Sequence, residues 1–215
     1  GKCAWDMHVR YGLRAQLAYV MMLTPSPVSV IQATCNMCLD DLEAKLTPTT
    51  KVIMVVHWGG SPIDLARVAA IQERCFAKFG FRPAVIEDCA HAFGAKFKGK
   101  KLGSHGNLCC FSLQAIKHLT SIDGGILIAP TQRLFERAKL TRWFGIDRER
   151  RSGGGDFRLE PPIEEYGFKF HMNDVNAIVG RCNLRHVQRL LDVCRANGAY
   201  YQQHLAKLRH ITLLN

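Results

Sequence analysis

The chain has 215 residues, 47% hydrophobic and 22% charged, a balance that belongs to folded globular proteins and excludes a disordered one. No apolar run reaches the roughly 18 residues of a membrane span; Leu17 to Leu23 comes nearest and is closed by Pro25 and Pro27. A formal charge of +11 invites a nucleic-acid reading. Yet the one local cluster, Arg142, Arg148, Arg150 and Arg151, is broken by Asp147 and Glu149 and lacks interleaved aromatics. A solvated face, or a site for a diphosphate-bearing small molecule, explains it as well as DNA does.

Residues 1–34 hold helix-compatible stretches without caps or a clean period, and Thr24-Pro25-Ser26-Pro27 breaks them. Gly1 to Arg14 has neither a signal-peptide core nor a small-residue cleavage site, so a cytoplasmic protein is expected. Cys35 and Cys38 form one C-x-x-C pair, and a zinc ribbon would need a second that is not there. The nine cysteines, odd in number and without framework spacing, read as reduced cytosolic thiols.

From Cys38 the pattern becomes legible. Leu39, Leu42 and Leu46 have helical spacing, Asp40 and Asp41 favour that helix's N-terminus, and Pro48 ends it. Val52 to Val56 is a continuous, largely β-branched run of the kind found in strands buried on both faces. Gly59-Gly60-Ser61-Pro62 turns the chain, with Pro62 suited to a first helical turn, and Leu65, Val68, Ile71 and Cys75 carry a helix to about Phe79, capped by Gly80. Ala84 to Ile86, ending at Glu87-Asp88, completes a strand–helix–strand crossover of a parallel sheet. Leu108 to Leu113 and Gly125 to Ile128 predict two more strands, and Leu134 to Trp143 a helix. Ser152-Gly153-Gly154-Gly155 reads as a mobile loop, and Asn173 to Leu208 as long helices.

Three features carry chemistry. Asp88 lies just past the carboxyl end of a parallel strand, where open α/β sheets bind ligands, although an aspartate there is commonly only a turn former. Lys117 stands among apolar neighbours directly after a strand; a buried lysine is costly unless neutral or bonded, and imine formation with an aldehyde cofactor would make it useful. A snorkelling surface lysine is the competing reading. Ser112, with backbone N–H groups in glycine-rich surroundings, could hold a phosphate.

Val85-Ile86-Glu87-Asp88-Cys89-Ala90-His91-Ala92-Phe93-Gly94, then Gly103-Ser104-His105-Gly106, Cys110-Phe111-Ser112, Lys117 and Gly124-Gly125, resembles the central signature of the DegT/DnrJ/EryC1/StrS sugar aminotransferases. Gly167 to Ala177 resembles the segment that precedes a long helix in that family, and the match covers roughly residues 36 to 210. The resemblance implies an α/β fold with a central, mostly parallel sheet flanked by helices, the large domain of fold-type I pyridoxal-phosphate transferases, here incomplete. It implies pyridoxal 5'-phosphate as cofactor, Lys117 as Schiff-base lysine and proton carrier, and Asp88 as partner of the pyridinium nitrogen. By the same resemblance His91 would sit near the cofactor ring and its phenolic oxygen, Ser112 would contact the phosphate, and Lys169 would reach the phosphate of a neighbouring subunit in a homodimer. Related dehydratases carry histidine where Lys117 stands, so transamination is expected, on a nucleotide-linked keto-sugar with glutamate as donor, in polysaccharide or lipopolysaccharide biosynthesis.

The chain departs from the family in lacking its early Ser-Gly-Thr-type phosphate anchor and the aromatic residue that stacks on the ring. The expected organisation is an unassigned segment over 1–34, a partial cofactor-binding large domain over 35–175, and long helices over 176–215 leading toward a small domain that is missing. Two alternatives stand beside a working aminotransferase: a catalytically incompetent fragment, and a basic nucleic-acid-binding protein, which steep salt dependence would reveal. A nicotinamide-binding module is disfavoured because Gly59-Gly60-Ser61-Pro62 is no G-x-G-x-x-G.

Overall fold

The computed structural model describes residues 26–147, 163 and 165–214. The expectations for residues 1–25, for Arg148, Arg150 and Arg151, and for the glycine-rich loop at 152–155 lie outside these.

Helix α1 (Leu39–Ala44) turns Leu42 inward, and its Asp40 and Asp41 complement the N-terminal dipole as expected. Strand β1 (Val52–Val56) buries Ile53 and Val55, while Val52, Met54 and Val56 remain half-buried. That alternation differs from the expected burial on both faces. One face of the strand is sealed in the core and the other is only half-covered. Helix α2 (Leu65–Phe79) presents Leu65, Val68, Ile71 and Cys75 to the covered side. Its N-terminus is fixed by Asp64, whose carboxylate accepts the Arg67 N–H at 3.0 Å, so Pro62 lies in the extended lead-in and not in the first turn. Gly80, at φ 77°, closes the other end. Val68 and Ile71, at 1% and 0% exposure, each contribute about 1.5–3 kcal/mol of burial.

Strand β2 (Ala84–Asp88) pairs parallel to β1, and β5 (Leu108–Ser112) parallel to β2. Between them β3 (Lys96–Phe97) and β4 (Lys100–Lys101) form a small separate hairpin. Strand β6 (Gly125–Ile128) runs antiparallel to β5, giving the order β1-β2-β5-β6. Helix α3 (Gln132–Thr141) follows, and α4 (Asp174–Leu184) and α5 (Val187–Leu205) close the described chain. The main core joins Leu39, Val55, Val68, Ile71, Val85, Cys109 and Phe111, and a second cluster packs Leu113 and Leu119 against Val187 and Leu191.

This arrangement decides where ligands go. Strands β1, β2 and β5 deliver their carboxyl ends side by side, at His57, Asp88 and Ser112. Because β6 returns antiparallel with Gly125 opposite Ser112, the intervening loop, with Lys117 on it, sits at the same edge.

Candidate active site

Asp88 ends β2 with its side chain on the opposite face from buried Glu87, opposite Cys110 of β5. Its Oδ1 accepts the Ala90 N–H at 2.9 Å, as a turn former's would, while Oδ2 has no hydrogen bond among the described residues. Ser112 lies two residues beyond Cys110 on the same face of β5, its Oγ accepting the Gln114 N–H at 3.3 Å and its own proton left to donate. Lys117 is half-buried in the turn that its N–H closes onto the Gln114 carbonyl at 2.9 Å. Its amine has no hydrogen bond or ion pair among the described residues.

His91 links these groups. Burial first, then the positive charge of Lys117 and of His118, holds its imidazole below the ordinary range against the pull of Asp88. Asp88, His91 and Lys117 therefore share one electrostatic neighbourhood. Burial, then the Asp88 carboxylate and Cys109, pushes the Cys110 thiol up to about 11, which marks Cys110 as an inert wall beside Asp88. Lys169 is not brought to this group. It is exposed on a segment bridged to Trp143.

Sequence reasoning missed two supports. Trp58, just past β1, meets the His91 ring edge-on at 4.9 Å, and its N–H is held by Asn36 Oδ1 at 3.3 Å. Asn36 is buried and ties the same turn again through Nδ2 to the Ser61 carbonyl at 3.1 Å. Behind the site His57 and Glu87, both 0% exposed, form a bond of 2.9 Å, and Asn107 Nδ2 donates to the second Glu87 oxygen at 2.7 Å. The only signal for these in the sequence is that polar residues interrupt apolar strand ends.

His57, Glu87 and Cys89 approach closely enough to suggest a metal site. The hydrogen bonds argue against one. His57 Nδ1 accepts the Ile63 N–H at 3.1 Å, so in the neutral ring Nε2 carries the proton and donates it to Glu87. No lone pair on that imidazole is left for a cation.

The carboxyl edge of the sheet thus gathers Lys117, Asp88 and Ser112, at the place where open α/β sheets bind ligands. The chain belongs to the DegT/DnrJ/EryC1/StrS aminotransferase family, whose model matches residues 14–215. Members of this family use pyridoxal phosphate. Among solved structures the chain is similar to AtS13 from Actinomadura melliaura, at 46% identity and TM-score 0.86 over 94% of this chain and 53% of that one. It is similar also to the sugar aminotransferase CalS13 from Micromonospora echinospora, at 41% identity and TM-score 0.84 over 91% and 52% of the two chains. A 3-amino-5-hydroxybenzoic acid synthase matches at 28% identity and TM-score 0.77, over 90% and 47%. The chain spans about half the length of the solved structures it matches. The expected fold, the mostly parallel sheet of the fold-type I transferases, is the observed one.

Proposed function

We propose that this chain carries the cofactor-binding portion of a pyridoxal-phosphate-dependent aminotransferase that acts on a nucleotide-linked keto-sugar, with glutamate as amino donor. The observation that supports this most is the convergence of Asp88, His91 and Lys117 at the carboxyl edge of the sheet. The donor set fits the cofactor: a half-buried amine without a partner for its aldehyde, a free carboxylate oxygen for its ring nitrogen, and a hydroxyl proton for its phosphate.

When bound, the cofactor supplies an aldehyde for amine exchange and an electron sink for the carbanion left by proton loss. Lys117 would hold the cofactor through that aldehyde, and its Nζ would carry the proton that migrates. Asp88 Oδ2 would keep the ring nitrogen protonated by accepting its hydrogen, and Ser112 would donate to the phosphate. His91, neutral because its pKa is lowered, offers a hydrogen bond without adding a second positive charge beside Lys117. Lys169, exposed in this chain, is assigned to the phosphate site of a second copy in a homodimer. The division at about residue 175, with helices leading into a further domain, and a cytoplasmic location belong to the same reading.

The test is an absorption spectrum after addition of pyridoxal phosphate and desalting, for the wild type and Lys117→Ala. A retained near-visible band, fixed by borohydride and absent in the variant, is expected. A band that persists without Lys117 would refute the assignment, and no band in either would show that this chain alone does not hold the cofactor.

A further inference from the structure

The loop that carries Lys117 contains the least comfortable backbone in the neighbourhood. Ile122 has φ 72°, a left-handed conformation that a β-branched residue strongly resists. Its side chain is 56% exposed, so packing does not hold it there. Hydrogen bonds do. The loop is closed at its base by Leu113 N–H to the Gly124 carbonyl and Ser121 N–H to the Leu113 carbonyl, both at 2.9 Å. Inside it, fully buried Ser121 donates through Oγ to the Asp123 carbonyl at 2.7 Å, and Ile122 N–H donates to Thr120 Oγ1 at 2.9 Å.

Helix α4 grips this loop on both sides of Ile122. Asn183 Nδ2 donates to the Thr120 carbonyl at 2.9 Å, and Asn176 Nδ2 to the Asp123 carbonyl at 3.1 Å. Seven residues apart, the two asparagines stand on one helix face. Gly180 lies between them, where a Cβ would come within 3.2 Å of Ser121 Cβ, so its missing side chain lets the helix lie against the loop. The rest of α4 is arranged the wrong way round for ordinary packing: Val175 and Ile178 face out at 68% and 60% exposure while the amides face in. The contact of the inner face with the loop is carried by the two amide hydrogen bonds.

We propose that the Asn176–Gly180–Asn183 stripe is a clamp that holds the loop in its strained form, and that Asn176 and Asn183 are thereby positioning residues for the Lys117 amine. The consequence for Lys117 rests on its assignment as the cofactor lysine; the strain does not.

The probe is pyridoxal phosphate fixed by borohydride, with the modified lysine located by peptide mass. The variants are Asn176→Ala/Asn183→Ala, Ile122→Gly and the combination of all three. The asparagine pair variant should fix cofactor at Lys117 about tenfold more slowly, with other lysines unchanged. Adding Ile122→Gly should restore most of that loss, because a glycine adopts the same backbone without strain and no longer needs the clamp. Unchanged fixation at Lys117 in the pair variant, or no rescue by Ile122→Gly, would overturn the positioning role. Thermal melting without cofactor reads the strain independently: Ile122→Gly should melt higher than wild type, and a lower melting temperature would overturn it. Should wild-type protein fix nothing at Lys117, this chain alone does not hold the cofactor, and the melting result decides the strain by itself.

Discussion

Glu87 and Asp88 are adjacent carboxylates with opposite environments, because successive strand residues point to opposite faces. Asp88 faces the ligand edge. Glu87 is sealed behind it with two hydrogen-bond donors, His57 and Asn107. Burial pushes the Glu87 carboxyl up, but these hydrogen bonds outweigh it and leave the net shift downward from 4.5. A depressed carboxylate pKa adds stability above the unfolded value, and that stability is lost as the pH falls through the folded value. Wild-type melting temperature should therefore drop below about pH 4.5. Glu87→Gln should lower it already at pH 7, by the equivalent of about 1–3 kcal/mol, and flatten the acid decline. Melting curves at a series of pH values check both; an equally steep decline in the variant would show that other carboxylates govern it.

At the scale of elements, α5 docks through Val187 and Leu191, and one glycine makes that docking possible. Gly94, at φ 78°, would carry a Cβ only 2.5 Å from Leu191 Cδ1. Gly94→Ala combines a left-handed backbone with overpacking and should cost about 1–3 kcal/mol in urea unfolding. A loss below about 0.5 kcal/mol would mean that Leu191 swings aside freely. The elements differ in how far local pattern announces them. Helix α2 was legible in full, because its apolar spacing and its glycine stop are local signals; only its start moved, from Pro62 to the Asp64 cap. Strands β1, β2 and β5 were legible from short apolar runs, β-branched in β1 and β2. The β3–β4 hairpin was not, because its strands hold only two residues each. Helix α4 was legible as a helix and misleading as to face, since its apolar stripe is the exposed one.

Across the whole molecule, apolar surface lies open on neighbouring elements of the second half. Besides the outer face of α4, edge strand β6 exposes Ile126 and Leu127, and Phe170 is exposed on the segment that precedes α4. Faces of this kind drive association. Ile178→Glu should reduce self-association measured by light scattering at fixed concentration, with the far-ultraviolet dichroism unchanged. An unaltered apparent mass would place the contact elsewhere. The +11 charge adds long-range attraction to anions but says nothing of which face is used.

By itself the sequence determined the order of the longer elements, the parallel crossover and the family motif that singles out Asp88, His91, Ser112 and Lys117. These are written in short windows, where period, caps and motif residues act on their immediate neighbours. Tertiary structure alone decided that β6 runs antiparallel, that His57 hydrogen-bonds Glu87, and that two amides of α4 hold the loop of Lys117. Those last bonds join residues 53 and 63 positions apart. No local preference anticipates them, because a buried polar group takes whichever partner the packed chain brings within reach, and an unfavourable backbone such as that of Ile122 persists only when several such partners hold it.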